Sequence, residues 1–434
     1  MILPQRIISF LSALLVSMSA STVAARPHQA IDSIDALDRQ ISVSLELLAE
    51  GNIQQARLLT RQMAWRFPDF ALGQLIYAEL ESASAFQDVK ISDHLPLSQN
   101  VSELLLEAQR RLAASGIDVG GGESAQTNHK HWPRNIVQIG KHLAQLVVVD
   151  LKASVLYHYE TSNQQPVLIR QHYIGSGEAG FGKRLEGDLK TPIGVYAITG
   201  FRTEESLPDL YGTGALTLDY PNSLDQYLGR TGYGIWLHGV PPQQLSRTPY
   251  SSEGCVTMSN EHLSRLANEL DLSNARVVLT NDATPLDPEV RKSLQDTFRD
   301  LFTRYQRAWM TGDETQLLGL YSDVDQLSTL LASGNNGLIR VNTVTGNFPQ
   351  SPPDGGMKSL ELSQYQMAFS AISPEQLSIF SHPDMTDKAL AASPGIVINA
   401  TFGPINEYQI TTYWTQGDDG AWRVLTETAE GTGL

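Results

Sequence analysis

The stretch Ser252-Glu253-Gly254-Cys255-Val256-Thr257-Met258, read together with His238-Gly239 upstream, decides how the middle of this chain is to be understood. Cys255 is the only cysteine among 434 residues, so no internal disulfide can form. A lone cysteine is most often a small buried hydrophobe. In an exported chain, where cysteines usually come in pairs, an odd one points instead to a reactive thiol or an intermolecular bridge. A glycine before the cysteine and a His-Gly upstream favour a thiol nucleophile with a histidine base.

Export is read from residues 1–25. Arg6 supplies a positive start, Ile7 to Met18 is apolar but broken by serines, and Val23-Ala24-Ala25 offers the small residues of a cleavage site. The apolar stretch is shorter than the roughly 20 residues that a membrane-spanning helix needs. A cleaved signal and a periplasmic location are therefore expected.

The formal net charge of −16 opposes binding to nucleic acid or to an anionic membrane surface, both of which need clustered Lys and Arg. The 41% apolar content is that of a globular protein. A mature chain of roughly 400 residues exceeds one ordinary core, so several domains are expected.

Three patterns divide the chain. Within residues 28–118, Ile34, Leu37, Ile41, Leu45 and Leu48 precede Gly51-Asn52, and Ala56, Leu59, Met63 and Phe67 follow at helical spacing. A helical region similar to a tetratricopeptide-like hairpin is expected, with a third helix through Leu72, Leu75, Ile76 and Leu80. Residues 119–132 read as a linker because of Gly120-Gly121-Gly122 and the polar run after it. His129 and His131 lack the cysteines or carboxylates of a metal site, so no metal is assigned.

From 133 to 282 the period changes to that of strands: Leu146 to Asp150, Val155 to Tyr159, Val167 to Ile174, Gly194 to Thr199, Ile235 to His238 and Val277 to Thr280. One helix, about Glu261 to Leu270, interrupts this mostly β domain. The run Gly175-Ser176-Gly177-Glu178-Ala179-Gly180 fits the dinucleotide fingerprint, but it leads into Phe181-Gly182-Lys183-Arg184, which is loop chemistry rather than a helix start. The near match to a phosphate-binding loop fails because Arg184 stands where a Ser or Thr is needed.

Lys183, Glu186-Gly187-Asp188-Leu189-Lys190-Thr191-Pro192, Gly194 and Tyr196, followed by Leu237-His238-Gly239 and Ser252-Glu253-Gly254-Cys255, resemble the L,D-transpeptidase (YkuD-like) catalytic domain over roughly 133–281. That resemblance implies Cys255 as nucleophile, His238 as its base, and the Gly239 carbonyl as the group that orients the imidazole. It also implies Gly254 and Ser252 near the oxyanion or substrate, with the amides of Gly254 and Cys255 facing the developing charge. The implied donor is a peptidoglycan stem tetrapeptide, whose third residue would be held as a thioester. An amine of a neighbouring stem or of an outer-membrane lipoprotein would accept it, and water would instead make the enzyme a hydrolase. Thiol acyl transfer implies no cofactor. Glu253 and Thr257 depart from the commoner His and Arg or Asn, and Ser-x-Gly-Cys-Val-x-Met is nearer a YafK-like subgroup, some members of which hydrolyse the lipoprotein attachment. A non-catalytic wall-binding protein is the contrasting reading.

Residues 286–434 open with a helix from Pro288 to Met310 and a shorter one around Leu317 to Tyr321. Strand-like runs follow at Leu338 to Thr343, Gln366 to Ala371, Gly395 to Phe402, Tyr408 to Thr415 and Trp422 to Thr428. Helices followed by an antiparallel sheet are similar to the α+β cone of the nuclear-transport-factor-like (SnoaL-like) superfamily, which implies a module for dimerisation or ligand binding.

Overall fold

The protein is described by a computed structural model over residues 34–85, 99–114, 132–321, 372–381, 396–402, 408–417 and 419–431. The expected signal, the linker with His129 and His131, and the strand-like runs at 338–343 and 366–371 lie outside the described residues. No helix of the described residues is long and apolar enough to cross a membrane.

Four helices come first: α1 (Ile34–Ala49), α2 (Ile53–Arg66), α3 (Ala71–Ala85) and α4 (Gln99–Ala114). The periodic residues Leu37, Ile41, Leu45, Ala56, Met63, Leu72, Ile76 and Leu80 meet in one core, joined by Ala108 of α4. Gly51, at φ +79°, makes the turn between α1 and α2, where a side chain would be strained. Arg111 of α4 ties this unit together. It is buried, binds Asp38 at 2.6 Å and Glu107 at 2.9 Å, and stacks over Phe70. It also lies 4.7 Å from the ring centroid of Tyr173, which belongs to the next unit.

The strands number fifteen among the described residues. They are β1 (Ile136–Gln138), β2 (Gln145–Asp150), β3 (Val155–Glu160), β4 (Val167–Tyr173), β5 (Ser176–Gly177), β6 (Gly194–Thr203), β7 (Gly214–Leu218), β8 (Trp236–His238), β9 (Tyr250–Ser252), β10 (Val256–Thr257) and β11 (Ala275–Thr280). After them come β12 (Leu377–Ser381), β13 (Ile396–Phe402), β14 (Tyr408–Gln416) and β15 (Trp422–Gly431). The central sheet runs β10-β8-β7-β6-β11-β2-β3-β4. Its interior strand β2 reads Leu-Val-Val-Val without polar alternation because both faces are covered. Val147 and Val149 enter the core shared with Leu263 and Leu266, whereas Leu146 and Val148 enter a second core with Phe380 and Tyr413. The short helix α5 (Ser223–Tyr227) and α6 (Asn260–Glu269) complete this unit. Ser176–Gly177 forms a strand against β9, and no helix follows it, so the glycine-rich run builds a loop.

The C-terminal unit opens with α7 (Pro288–Thr311), capped by Asp287, whose carboxylate accepts from the amides of Glu289 and Val290, and stopped by Gly312 in the left-handed region. Helix α8 (Glu314–Leu320) follows. Phe298, Leu301, Phe302, Tyr305 and Trp309 pack against Ile379, Ile410, Trp414 and Val424 of an antiparallel sheet ordered β1-β12-β13-β14-β15. Ile136–Gln138 pairs with β12, and Val137 is buried under α7, so this segment belongs to the C-terminal sheet although it precedes the central unit in the chain.

Removing Arg111 strips the ion-pair partner from the half-buried Asp38 and from the buried Glu107, which would keep only the hydrogen bond from Ser246 Oγ. Arg111→Ala is expected to destabilise the protein by about 3 kcal/mol, read as a shift of the first unfolding transition in urea. A change under about 1 kcal/mol would show that the guanidinium does not hold the helices together.

Candidate active site

Strands β8 and β10 run parallel, with Leu237 opposite Val256 and His238 opposite Thr257. Cys255 immediately precedes β10, and strand alternation puts its side chain on the same side of the ladder as Trp236 and His238. The His238 ring is buried, and its Nδ1 lies 2.7 Å from the Gly239 carbonyl oxygen. A carbonyl only accepts, so Nδ1 carries the proton and Nε2 presents a bare lone pair. In the resting state the Cys255 thiol donates to the Gly234 carbonyl at 3.3 Å.

The turn before the cysteine is held from within. Gly254 N–H donates to Ser252 Oγ at 3.1 Å, and Ser252 Oγ donates to the Cys255 carbonyl at 2.6 Å. The Gly254 amide is thus engaged inside the turn, and the Ser252 hydroxyl shapes that turn. Gly254 sits at φ +131°, and a Cβ there would come within 2.8 Å of the Lys190 carbonyl oxygen. Only glycine lets the cysteine turn lie this close to the preceding loop.

That loop is organised by an ion pair. Lys183 Nζ binds Asp188 at 2.9 Å and the Leu185 carbonyl at 3.0 Å, and Asp188 also accepts from the amides of Arg184, Leu185 and Lys190. Burial alone would raise the Asp188 carboxyl, but the Lys183 ammonium and the three amides outweigh it and hold it down to about 2.

Burial dominates the reacting pair. It lowers His238 to about 4 against the smaller upward pull of the Gly239 carbonyl. It raises the Cys255 thiol, an effect that Glu253 reinforces and that Lys183 and Arg247 oppose. Near neutral pH the pair is therefore a neutral thiol and a neutral imidazole, suited to transferring the proton as the sulfur attacks.

Two residues of the site escaped the sequence reading. Asn260, the first residue of α6, accepts from the amides of Thr213 and Val240 at 3.1 Å each and donates to the Val240 carbonyl at 2.8 Å. It fills the space left by two glycines, since a Cβ on Gly239 or Gly212 would lie 2.1 or 2.0 Å from its Oδ1. Tyr211 packs edge-on to the His238 ring at 4.9 Å and against Trp236 at 5.1 Å. Ser259-Asn260 could have been read as a helix cap, but nothing in the sequence ties it to Gly239.

A second polar cluster joins α1 to α6. Asp35, His172 and His262 bring ligand-type atoms within 4.8 Å of one another. Asp35 already binds His262 Nε2 at 2.9 Å and Arg265 at 3.0 Å, and the two imidazoles lie tilted over each other at 4.0 Å. These contacts make it an ion-paired latch between the helical and central units.

Residues 144–279 match the family model of the YkuD L,D-transpeptidase catalytic domain. The chain carries a YkuD L,D-transpeptidase catalytic domain. This domain marks a peptidoglycan-related function of the L,D-transpeptidase family. Among curated proteins nothing matches the chain. Among solved structures, Bd1075 of Bdellovibrio bacteriovorus is similar at 16% identity and a TM-score of 0.47, covering 69% of this chain and 99% of that one. Pgp2 of Campylobacter jejuni, a helical cell shape determining protein, is similar at 20% identity and a TM-score of 0.46, covering 68% and 95%.

Two outcomes are expected at this YkuD site. Alkylation of Cys255 in the free enzyme should be slow at neutral pH and climb beyond the ordinary thiol value of 9.0; a plateau below pH 7 would instead reveal a preformed thiolate–imidazolium pair. Asn260→Ala should lower kcat by roughly 10-fold or more with KM little changed, because the lost hydrogen bonds orient the Gly239 carbonyl. An unchanged kcat would remove Asn260 from the positioning machinery.

Proposed function

We propose that the chain is a periplasmic peptidoglycan L,D-transpeptidase that works through a thioester on Cys255. His238 Nε2 takes the thiol proton as sulfur attacks the carbonyl of the third stem residue, commonly meso-diaminopimelate. The same proton passes to the departing amine of the terminal D-alanine. An amine of a second stem peptide then attacks the thioester, gives up a proton to His238, and restores the thiol. The observation that carries this reading is the His238 Nδ1 to Gly239 carbonyl contact of 2.7 Å, which frees Nε2, on the strand beside Cys255. With the Gly254 amide engaged in its turn, the Cys255 amide is the oxyanion donor in this reading.

The C-terminal unit is read as a nuclear-transport-factor-like binding or dimerisation module. Its helices precede an antiparallel sheet filled by aromatic side chains, and Tyr305 and Tyr321 both donate to the buried Glu427 carboxylate, at 2.5 and 3.0 Å.

Mature protein incubated with disaccharide tetrapeptides, beside a Cys255→Ala control, tests the assignment by mass spectrometry of the products. A dimer joined through third-position residues, formed only with Cys255 intact, is expected. Tripeptide alone would move the acceptor to water and make the protein an L,D-carboxypeptidase. No Cys255-dependent product from tetrapeptides or from lipoprotein-linked peptidoglycan would leave a wall-binding role.

A further inference from the structure

Two cations reach the Cys255 thiol with their charge, Lys183 and Arg247, and that of Arg247 reaches His238 as well. They differ in what else they touch. Lys183 is committed to Asp188 and to the Leu185 carbonyl. Among the described residues, the guanidinium of Arg247 has no hydrogen-bond or ion-pair partner, although the side chain is partly buried.

The backbone around Arg247 is fixed on every side. Its carbonyl accepts from the Tyr173 hydroxyl at 2.8 Å. Ser246 Oγ donates to Glu107 of α4 at 2.8 Å, and Leu245 packs on the core of the helical unit. The Thr248 carbonyl accepts from Ser251 Oγ at 2.8 Å and lies 3.0 Å from where a Cβ on Gly175 would stand. Gly175 in turn exchanges both backbone hydrogen bonds with Thr257, which is opposite His238. The segment bearing Arg247 is thus laid against the reacting strands and pinned by the helical unit, whose Arg111 sits over Tyr173. A guanidinium on a segment that lies against the reacting strands, without an acceptor among the described residues, suits a planar anionic ligand group.

We propose that Arg247 is a specificity-determining residue that binds a carboxylate of the donor peptide, and that the helical unit serves to hold it in place. This rests on the acyl-transfer reading above. A stem tetrapeptide offers two such carboxylates, that of the terminal D-alanine and that on the side chain of diaminopimelate.

Binding is measured by calorimetry on the full mature chain in a Cys255→Ala background, with the free-acid tetrapeptide, its C-terminal amide and its diaminopimelate carboxamide. The free acid should bind roughly 10- to 100-fold more tightly than one of the two amides, and which amide is weak identifies the carboxylate. Arg247→Gln should erase that preference while leaving affinity for the weak amide unchanged, and Arg247→Lys should restore part of it. Equal binding of all three peptides by the Arg247 protein overturns the proposal, as does an Arg247→Gln variant that weakens all three equally. If the preference is present in binding but the Cys255 enzyme turns over no stem peptide, the carboxylate site stands and the acyl-transfer reading falls. If no peptide binds, both fall.

Discussion

The parallel pairing of β8 with β10 is the constraint on which the site depends. These two short strands come from opposite ends of a long loop, and only their hydrogen-bonded register sets Cys255 beside the strand that ends in His238. Short parallel ladders are weakly held by themselves. Here the surroundings close them: Gly175 exchanges hydrogen bonds with Thr257, β5 pairs with β9, and Asn260 wedges between Gly212 and Gly239. Each contact is backbone to backbone or side chain to backbone, so the geometry of the imidazole and the cysteine turn rests on main-chain positions that side-chain motion leaves alone.

Burial then decides the protonation states. A buried imidazole lowered to about 4 and a half-buried thiol pushed upward give a resting site without a preformed ion pair. Such a pair keeps the sulfur unreactive toward adventitious electrophiles and leaves proton transfer to occur within the reaction with substrate. The neighbouring charges divide the remaining work. Lys183 and Asp188 lock the loop against which Gly254 packs, and the Asp35, His262 and Arg265 contacts fasten the helical unit to α6, the helix that begins with the wedge residue Asn260.

What could be read from the chain alone follows how far apart the interacting residues lie. Cys255, His238 and the loop from Lys183 to Pro192 stand in short runs whose order is itself informative, and the apolar periods of α1, α2 and α7 locate those helices to within a residue or two. The hydrogen bond between Ser252 and Gly254 was not legible, because a hydroxyl two residues before an amide can bond that amide as readily as it can face a ligand. Strand β7 was missed: Gly214–Leu218 is short and carries no alternation because every residue is buried. The pairing of β1 was not legible, because its partner, β12, is far along the chain and no local signal names it. Tyr211, Arg247 and Asn260 lie on loops or at a helix start, where composition is permissive and only the fold brings the residues together.

The most direct test of the central claim is the intact mass of the protein after brief exposure to a stem tetrapeptide and an acid quench. The account predicts an adduct equal to the tripeptide acyl group, located on Cys255 by peptide mapping, released by hydroxylamine and absent from Cys255→Ala. Turnover of the tetrapeptide without any such adduct, or with an adduct that persists in Cys255→Ala, would contradict acyl transfer through this thiol.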